Sequence, residues 1–227
     1  MTVKANNKDW KAMLSCVKTY TDEATVTVGG GKAKVLEMDL AKNHLIYGEI
    51  DCEGEAVFSI NLEKFMKGLS AVGDDPEIEV GDGYLTIYGK SAKVKVPLIV
   101  RESTAKWPEK FQNPSASCEI DPSILDPVVS YGVYCSQAIA KFSIADTKMR
   151  VEIGVAPDVS EVESMSTAVG NATSTFGLDL IETIVKHVKS FPTVKVEGFN
   201  DNWPMIFSWK NDGTGNFKVL IAPRIEE

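Results

Sequence analysis

Lysine side chains occupy one face of three of the helices that the sequence predicts. In each helix the lysines recur three or seven residues apart, opposite a face of apolar side chains. They are Lys8, Lys11 and Lys18 in the first helix, Lys64 and Lys67 in the second, and Lys186 and Lys189 in the fourth. A lysine-bearing helix face is most often solvated surface. If the helices lie on one side of their sheets, however, the same lysines form a basic surface suited to phosphate contacts that ignore base sequence.

The chain as a whole is acidic, so a basic surface requires that its cations and anions be segregated. The 227 residues include 24 lysines and arginines against 32 aspartates and glutamates, which gives a formal net charge of −8. Net charge alone argues against nucleic-acid binding, but it does not say where the cations lie. Because lysine is a flexible point charge, a lysine surface holds a phosphate backbone loosely. Loose contact of this kind permits sliding along a duplex.

No residue pattern signals catalysis, a cofactor or a metal ion. Residues 29–32 (GGGK) lack the spacing of a phosphate-binding loop and the serine or threonine that follows its lysine. The two histidines, His44 and His187, are too few to suggest a zinc site or histidine-based acid–base chemistry. The four cysteines have no CxxC spacing, so we expect reduced, mostly buried thiols in a cytosolic protein. We therefore predict a protein that is not an enzyme and that binds no metal and no cofactor.

One stretch of the sequence is repeated later at a constant offset. Residues 60–80 align without a gap on residues 176–196, an offset of 116 residues (176 − 60). Leu62 falls on Leu178 and Pro76 on Pro192, and each copy has the pattern of an amphipathic helix, a turn and an alternating strand. The alternative is that two unrelated units align by chance. The matched proline and the matched hydrophobic periodicity of helix and strand disfavour it. A repeat of half the chain length predicts two similar domains.

The predicted elements follow the same order in both halves: a helix, three or four strands, a second helix and three strands. Because hairpins connect the strands, we expect an α+β fold in which two helices cover one face of antiparallel sheets in each domain. The third helix carries Pro127 and Gly132, so we expect it to be short or bent. The predicted helices span residues 8–20, 62–72, 122–134 and 178–189. The predicted strands span 25–28, 34–38, 45–50, 56–60, 77–80, 84–88, 92–99, 138–144, 148–155, 161–169, 193–198, 205–210 and 217–221, with a turn at 170–174.

The two predicted domains, residues 1–99 and 118–227, are joined by a linker at residues 100–117. This segment contains Pro108 and Pro114, several charges and no clear hydrophobic period. Two aromatic residues stand out in it, Trp107 and Phe111. Aromatic side chains in a linker are usually packed against the surface of a domain, and we expect that here.

Several phrases of the sequence, in this order of elements, resemble the DNA sliding clamps of the proliferating cell nuclear antigen (PCNA) type, in particular archaeal and viral-like members. The phrases are residues 36–39 (LEMD), 60–67 (INLEKFMK), 203–206 (WPMI) and, most specific, 220–226 (LIAPRIE). The resemblance covers nearly the whole chain. It implies the DNA clamp fold and a head-to-tail homotrimer, a pseudo-sixfold ring whose helices line the hole and whose sheets lie outside. Duplex DNA would be encircled rather than gripped, which reconciles an acidic chain with DNA.

The function that the resemblance implies is that of a processivity factor in DNA replication and repair. Its expected partners are duplex DNA, DNA polymerase, a clamp loader, other proteins with a clamp-binding peptide and further copies of itself, with no membrane. We expect a cytoplasmic, nucleoid-associated protein if it is archaeal or viral, and a nuclear protein if it is eukaryotic. Three alternatives stay open: a subunit of a heterotrimeric or checkpoint-type clamp, a monomeric processivity factor, and a small-molecule enzyme.

The resemblance also implies three sets of site residues. Lys11, Lys18, Lys67 and Lys186 match positions that face DNA in the family, whereas Lys8, Lys64 and Lys189 are assigned to the same faces from helical spacing alone. A partner-peptide pocket would be formed by Met38, Leu45, Ile99, Val100, Pro204, Leu220, Ala222, Pro223 and Arg224. For Met38 and Leu45, ordinary core packing is the alternative. The subunit interface would pair a strand edge with Ala92, Val94 and Val96 against another with Val162, Ser164 and Ser166.

Overall fold

The computed structural model describes residues 1–101, 105–134, 139–145, 147–154, 160–165, 168–211 and 215–224, without the side chains of residues 133, 134, 164, 165 and 211. By its contacts the chain divides into two compact units. Unit 1 comprises Met1–Ala41, Leu45–Lys106 and Lys210–Phe217, and unit 2 comprises Lys42–His44, Trp107–Trp209 and Lys218–Glu227. The predicted limits of the domains and of the linker concern segments that could fold independently. Units defined by contacts do not test this, so these limits stay predictions.

Unit 1 consists of two helices and two antiparallel sheets. The helices are α1 (Asn7–Lys18) and α2 (Leu62–Val72). The strands are β1 (Thr2–Lys4), β2 (Glu23–Gly29), β3 (Lys32–Met38), β4 (His44–Asp51), β5 (Ala56–Asn61), β6 (Glu77–Val80), β7 (Tyr84–Tyr88) and β8 (Lys93–Pro97). One sheet has the order β1-β6-β7-β8 and the other contains β4-β3-β2-β5. The α+β architecture predicted from the sequence is therefore confirmed in this unit.

Unit 2 repeats this plan. Two 3-10 helices (Glu109–Phe111 and Pro122–Ile124) accompany the helices α3 (Leu125–Tyr134) and α4 (Leu178–Val188). The strands are β9 (Ala116–Ile120), β10 (Ile139–Ala145), β11 (Lys148–Ile153), β12 (Ser160–Met165), β13 (Val169–Gly170), β14 (Ala172–Gly177) and β15 (Val194–Gly198), together with β16 (Met205–Asn211) and β17 (Gly215–Ile221), which contribute residues to both units. Its sheets contain β12-β11-β10-β14 and β13-β9-β15-β16.

The structure extends the sequence repeat well beyond the stretch in which the residues resemble each other. At the offset of 116 residues, β2 coincides with β10, β5 with β14 and α2 with α4, residue for residue. The strands β4 and β12 begin 116 residues apart, at His44 and Ser160, but their registers differ by two residues: Leu36 pairs with Tyr47, whereas Glu152 pairs with Glu161. We call the residue 116 positions later in the chain the counterpart of a unit 1 residue.

The two helices of unit 1 bury their apolar faces in a common core. Asn6 and Asn61 cap them, since their side-chain oxygens accept hydrogen bonds from Lys8 N and Lys64 N at 2.8 Å and 3.1 Å. The ring of Phe65 packs edge-on against Trp10, with ring centroids 5.8 Å apart. At Gly68 a Cβ atom would come within 2.8 Å of Ile87 Cδ1, so α2 lies directly on β7 there. Burial of this face turns the lysine face of each helix to the solvent.

The third helix is short, as Pro127 and Gly132 predict: among the described α-helices it has the fewest residues, and it begins at Leu125 rather than at residue 122. Pro127 lies in the first turn of α3, where its missing N–H has no intrahelical acceptor, so proline is tolerated and α3 continues to Tyr134. Gly132 is buried, and a Cβ atom there would lie 2.1 Å from Leu178 Cδ1. Glycine at this position therefore permits the close approach of α3 to α4.

Other sequence-based predictions require correction. The strand β1 was not predicted, and the predicted turn at residues 170–174 is largely occupied by β14. The repeat itself predicts β14, because the residues of β14 are the counterparts of those of β5. The strand predicted at residues 161–169 ends as β12 at Met165, and β13 forms separately. Residues 116 and 117 of the predicted linker belong to β9.

Two predictions about buried groups are confirmed in the described part of the chain. Cys16, Cys52 and Cys118 are free, buried thiols, and Cys135 lies outside the described residues. Phe111 is buried in unit 2, where its ring packs against Phe199 with centroids 5.0 Å apart. Among the described residues no helix is long and apolar enough to cross a membrane.

Candidate nucleic-acid interface

The lysine faces of α1 and α2 meet in one surface of unit 1. Glu63 lies at the junction: its carboxylate pairs with Lys67 Nζ of the same helix at 2.6 Å and with Lys18 Nζ of α1 at 3.9 Å. One carboxylate can reach both lysines only if the two helices present their lysines on the same side. The tertiary structure thus joins two of the stripes that the sequence predicts separately.

The other lysines of this surface point to the solvent in the same way. Lys8 and Lys64 are exposed, and Lys11 is half-buried. Lys11 and Lys64 have no carboxylate partner among the described residues. Of the five predicted lysines of unit 1, Lys18 and Lys67 therefore meet at Glu63, and the other three lie on the same faces of α1 and α2 by helical spacing.

The corresponding surface of unit 2 is less basic. On α4, Lys186 and Lys189 are exposed, and Lys186 Nζ pairs with Glu182 Oε1 one turn earlier at 3.0 Å. Burial, and secondarily the Lys186 charge, lower the pKa of His187 on the same helix, which favours its neutral form. The sequence of α3 contains Asp126 and no lysine or arginine. Whether the lysines of the two units face a common hole stays a prediction.

The start of the linker is fixed to unit 1 by an ion pair that the sequence analysis missed. Arg101 donates two hydrogen bonds to the Glu37 carboxylate, at 3.1 Å and 2.7 Å, and a third to Glu23 O at 2.6 Å. Glu37 also accepts from Thr25 N at 2.8 Å, and Ser59 Oγ donates to Arg101 O at 3.0 Å. The Glu37 side chain is only 2% exposed. A carboxylate so deeply buried requires this full set of donors.

A groove lies beside this ion pair on the outer face of the β4-β3-β2-β5 sheet. Its cavity volume is about 1060 Å³, and its apolar lining includes Leu36, Tyr47, Val57, Ile99 and Val100. Val57 is 67% exposed and Val100 is fully exposed. An exposed apolar surface of this kind marks a candidate site for a partner.

The counterpart face in unit 2 is charged and satisfied by its own residues. The counterpart of Leu36 is Glu152, and β12 has Glu161 opposite it, where β4 has Tyr47 opposite Leu36; Glu163 lies two residues further on the same face. Glu152 pairs with Lys141 at 3.1 Å, while Glu163 pairs with Lys148 at 3.0 Å and Arg150 at 2.9 Å. These hydrogen bonds, from Arg150 first, hold the pKa of Glu163 below its usual range. The duplication therefore supplies an internal comparison, in which the described residues of unit 1 form an apolar groove where unit 2 has Glu152 and Glu163.

The residues predicted for a partner-peptide pocket fall in both units. In unit 1, Met38 is 38% exposed at the end of β3, whereas Leu45 is buried. In unit 2, Leu220 is buried. Ile99, Pro204, Ala222 and Pro223 are half-buried, and Val100 and Arg224 are exposed. Ala222 N donates to Asn43 O, and Arg224 N donates to Thr175 O, so the described end of the chain is held to unit 2. That these residues form one pocket stays a prediction.

The two predicted interface strands are both edge strands in the described part of the chain. β8 ends the order β1-β6-β7-β8, and β12 begins the order β12-β11-β10-β14. On β8, Val94 is half-buried and Val96 is buried in the core, and Ala92, just before the strand, is half-buried. On β12, Val162 is half-buried. The side chain of Ser164 and the whole of Ser166 lie outside the described residues.

The residues that sequence reasoning missed carried recognisable signals. Glu37 occupies an inward-facing position of the alternating strand β3, and a charge there indicates a buried ion pair. Glu63 precedes Lys67 by four residues on a predicted helix, which is the spacing of a helical ion pair. What no sequence pattern indicated is that Arg101 is the partner of Glu37. Within the described residues no group of acidic, histidine or cysteine side chains is placed to hold a metal ion.

Comparison with known proteins identifies the fold. No family model matches the sequence, and no curated protein matches it either. Among solved structures, a chain of the complex between PCNA from A. fulgidus and the C-terminal region of FEN-1 has a TM-score of 0.84 at 17% identity, covering 100% of this chain and 99% of that chain. PCNA from Entamoeba histolytica has a TM-score of 0.80 at 14% identity, covering 99% and 98%. A chain of the PCNA2–PCNA3 complex from Sulfolobus tokodaii has 0.78 at 19%, covering 100% of both. The chain has the DNA clamp fold of PCNA, as the resemblance predicted.

The Glu37–Arg101 pair gives a stability prediction. Arg101→Ala leaves the Glu37 carboxylate buried without its cation, so we expect the free energy of unfolding to fall by about 3 kcal/mol in urea at pH 7. Glu37→Gln combined with Arg101→Ala should recover part of this loss, because no buried charge then remains unpaired. A single variant as stable as the original protein would contradict the importance of the pair.

Proposed function

We propose that this chain is a sliding clamp, which assembles with further copies of itself into a ring around duplex DNA and acts as a processivity factor. The observation that carries the proposal is the single lysine surface of α1 and α2 around Glu63, in a chain with the clamp fold. A surface of lysines without base-reading side chains suits contacts to the phosphate backbone. Encirclement supplies the retention that these loose contacts do not.

The alternative functions make different demands on the same surface. A monomeric processivity factor must hold DNA by charge alone, which is difficult for a chain of net charge −8. A ring tolerates that charge, since its lysines need only prevent the inner surface from repelling phosphate. We therefore expect retention on closed circular DNA and loss from free linear ends.

Self-assembly is proposed to use the open edges of β8 and β12. At the two ends of β8, Gly89 N donates to Ala92 O and Leu98 N donates to Gly83 O. The main-chain groups of the even-numbered residues of β8 are therefore turned toward β7. The main-chain groups of Lys93 and Lys95 are then turned toward the open edge. Just after β4, Cys52 N donates a hydrogen bond to Gly31 O. The main-chain groups of the even-numbered residues of β4 are therefore turned toward β3, and those of the odd-numbered residues are turned away from it.

The register of β12 on β11 differs from that of β4 on β3 by two residues, which preserves the alternation, so the main-chain groups of Glu161 and Glu163 are turned to the open edge of β12. The exposed side chains of the two edges have opposite charge, with Lys93 and Lys95 on β8 and Glu161 and Glu163 on β12. Two β8 edges would repel each other, whereas β8 lysines can meet the glutamates of β12, and this favours the head-to-tail pairing of unlike edges. Such pairing closes into a ring if the rotation permits.

The same arrangement is supported by the strand that already covers β4 in unit 1. The first residues of β17 lie beside β4, where Asn216 Nδ2 donates to Glu49 Oε1 at 3.2 Å. β12 is the counterpart of β4 but has no such neighbour among the described strands. A second copy that supplies β8 would cover it. Since one of the similar structures is a PCNA2–PCNA3 complex, a heteromeric ring is the competing arrangement.

Partner proteins are proposed to bind at the predicted pocket together with the neighbouring groove of unit 1. Val100 belongs to both sets, and its side chain is fully exposed beside Val57 and Ile99. A mostly apolar surface of this kind receives aromatic and aliphatic anchors of a peptide. One of the similar structures contains PCNA with the C-terminal region of FEN-1, which supports a peptide as the occupant.

The lysine surface is tested by replacing Lys11, Lys18, Lys67 and Lys186 together with alanine. We expect normal folding but weaker binding to a short fluorescent duplex. The slope of log affinity against log salt should become shallower by about 0.9 for each phosphate that the variant no longer neutralises. The control replaces four exposed lysines outside the helices, Lys42, Lys90, Lys106 and Lys210, with alanine. Equal effects of the two sets would refute the assigned surface.

The head-to-tail edges are tested by single prolines that remove an outward N–H. Lys95→Pro should block the β8 edge and Glu161→Pro the β12 edge, so that neither variant forms a ring in native mass spectrometry. A mixture of the two variants retains one intact pair of edges and should give heterodimers but no larger assembly. Ring formation by either variant alone, or a monomeric original protein, would contradict homomeric closure through these edges.

The partner surface is tested by Val100→Glu, which places a charge on an exposed apolar position without disturbing the core. We expect about a tenfold or greater loss of affinity for a labelled peptide that carries a glutamine, an aliphatic residue and paired aromatics. Val169→Glu is the matched control, because Val169 is also exposed and lies on β13. The proposal fails if both variants bind the peptide equally well.

A further inference from the structure

A carboxylate lies in the middle of the lysine surface of unit 1. Glu63 Oε1 is 2.6 Å from Lys67 Nζ, and Glu63 Oε2 is 3.9 Å from Lys18 Nζ. Hydrogen bonding and attraction from Lys67, followed by attraction from Lys18, hold the pKa of Glu63 below its usual range, so it is ionised at neutral pH. Both of these lysines are among those predicted to face DNA.

An ion pair between a glutamate and a lysine four residues later, like that of Glu63 and Lys67, also occurs on α4. Glu182 Oε1 pairs with Lys186 Nζ at 3.0 Å, and Lys186 is the α4 lysine that the resemblance places against DNA. Three of the four lysines assigned by position therefore carry an internal carboxylate partner. Lys11 has none among the described residues.

A purely structural role for Glu63 is the alternative, and the duplication separates the two roles. Glu63 lies in the first turn of α2, where an acidic side chain is favoured by the helix dipole. Its counterpart Asp179 lies at the same position of the first turn of α4. Asp179 is exposed and makes no ion pair with any described residue. Asp179 therefore has the helix-dipole role without the lysine partners.

We propose that Glu63, and to a lesser extent Glu182, are built-in counter-ions that weaken the attraction of the lysine surface for phosphate. The proposal rests on the proposed function in taking duplex DNA as the polyanion that this surface meets. A paired lysine must leave its carboxylate before it binds a phosphate oxygen, and an exposed ion pair resists this by a factor of about 1.4 to 5 in the equilibrium constant. Glu63 engages two lysines, although the longer distance to Lys18 makes that share smaller.

The consequence for a clamp is a surface that touches the DNA backbone without holding it. Unpaired lysines at these positions would bind phosphates more firmly and release them more slowly as the protein moves. Carboxylates among the lysines keep each contact weak and exchangeable. Glu63 and Glu182 are thus positioning residues for the lysines and have no contact with DNA of their own.

The experiment compares three variants of the full chain that remove one negative charge each. Glu63→Gln frees two lysines, Glu182→Gln frees one, and Asp179→Asn frees none. Each is measured by the salt concentration that elutes it from a heparin column and by its affinity for a short linear duplex. We expect the order Glu63→Gln, Glu182→Gln, Asp179→Asn in both, with about a two- to tenfold gain in duplex affinity for Glu63→Gln and little change for Asp179→Asn.

The outcomes distinguish the counter-ion role from its rivals. If all three variants shift equally, the effect is net charge alone and the proposal is wrong. If Glu63→Gln and Asp179→Asn lower the thermal stability equally and elute from heparin at the same salt concentration, Glu63 only stabilises α2 through its interaction with the helix dipole. If Glu63→Gln fails to fold, Glu182→Gln against Asp179→Asn still decides. Retention of the expected order on heparin, with no retention of any form on closed circular DNA, would support the counter-ions and refute the DNA clamp.

Discussion

Burial of one face of each helix is the constraint on which the rest of the structure depends. In unit 1 the contact of Phe65 with Trp10 and the close approach at Gly68 fix the rotation of α2 about its axis. Once that face is buried, the lysines on the opposite face of the helix point to the solvent. The lysine surface therefore follows from core packing, and its density of charge is set by which residues the sequence places opposite the core.

The duplication lets one half of the chain serve as a control for the other. The two units share the same strands and helices at one offset, yet their surfaces differ. The outer sheet face is apolar in unit 1, with Leu36 and Tyr47, and charged in unit 2, with Glu152 and Glu163. Since both faces belong to the same architecture, the apolar groove is not a requirement of the fold. It is the kind of difference expected when one unit has a partner that the other lacks.

Electrostatics in this protein acts locally rather than through net charge. A chain of net charge −8 nevertheless brings lysines of α1 and α2 together, and Glu63 pairs with two of them. Exposed pairs such as Glu63–Lys67 contribute little to stability and can exchange partners. The Glu37–Arg101 pair is different, because its burial makes the loss of either partner costly and so holds the start of the linker to unit 1.

The sequence by itself determined the α+β architecture, the helix bounds of α2 and the lysine stripes, because hydrophobic periodicity is a local property that sterics and burial enforce. It contained the position of β14 only through the repeat, and it left Pro127 ambiguous because tolerance depends on the turn in which proline falls. Only the tertiary structure decided that Lys18 and Lys67 meet at Glu63 and that Arg101 pairs with Glu37. These contacts join residues far apart in the chain, and their geometry is set by packing that no single stretch of sequence specifies.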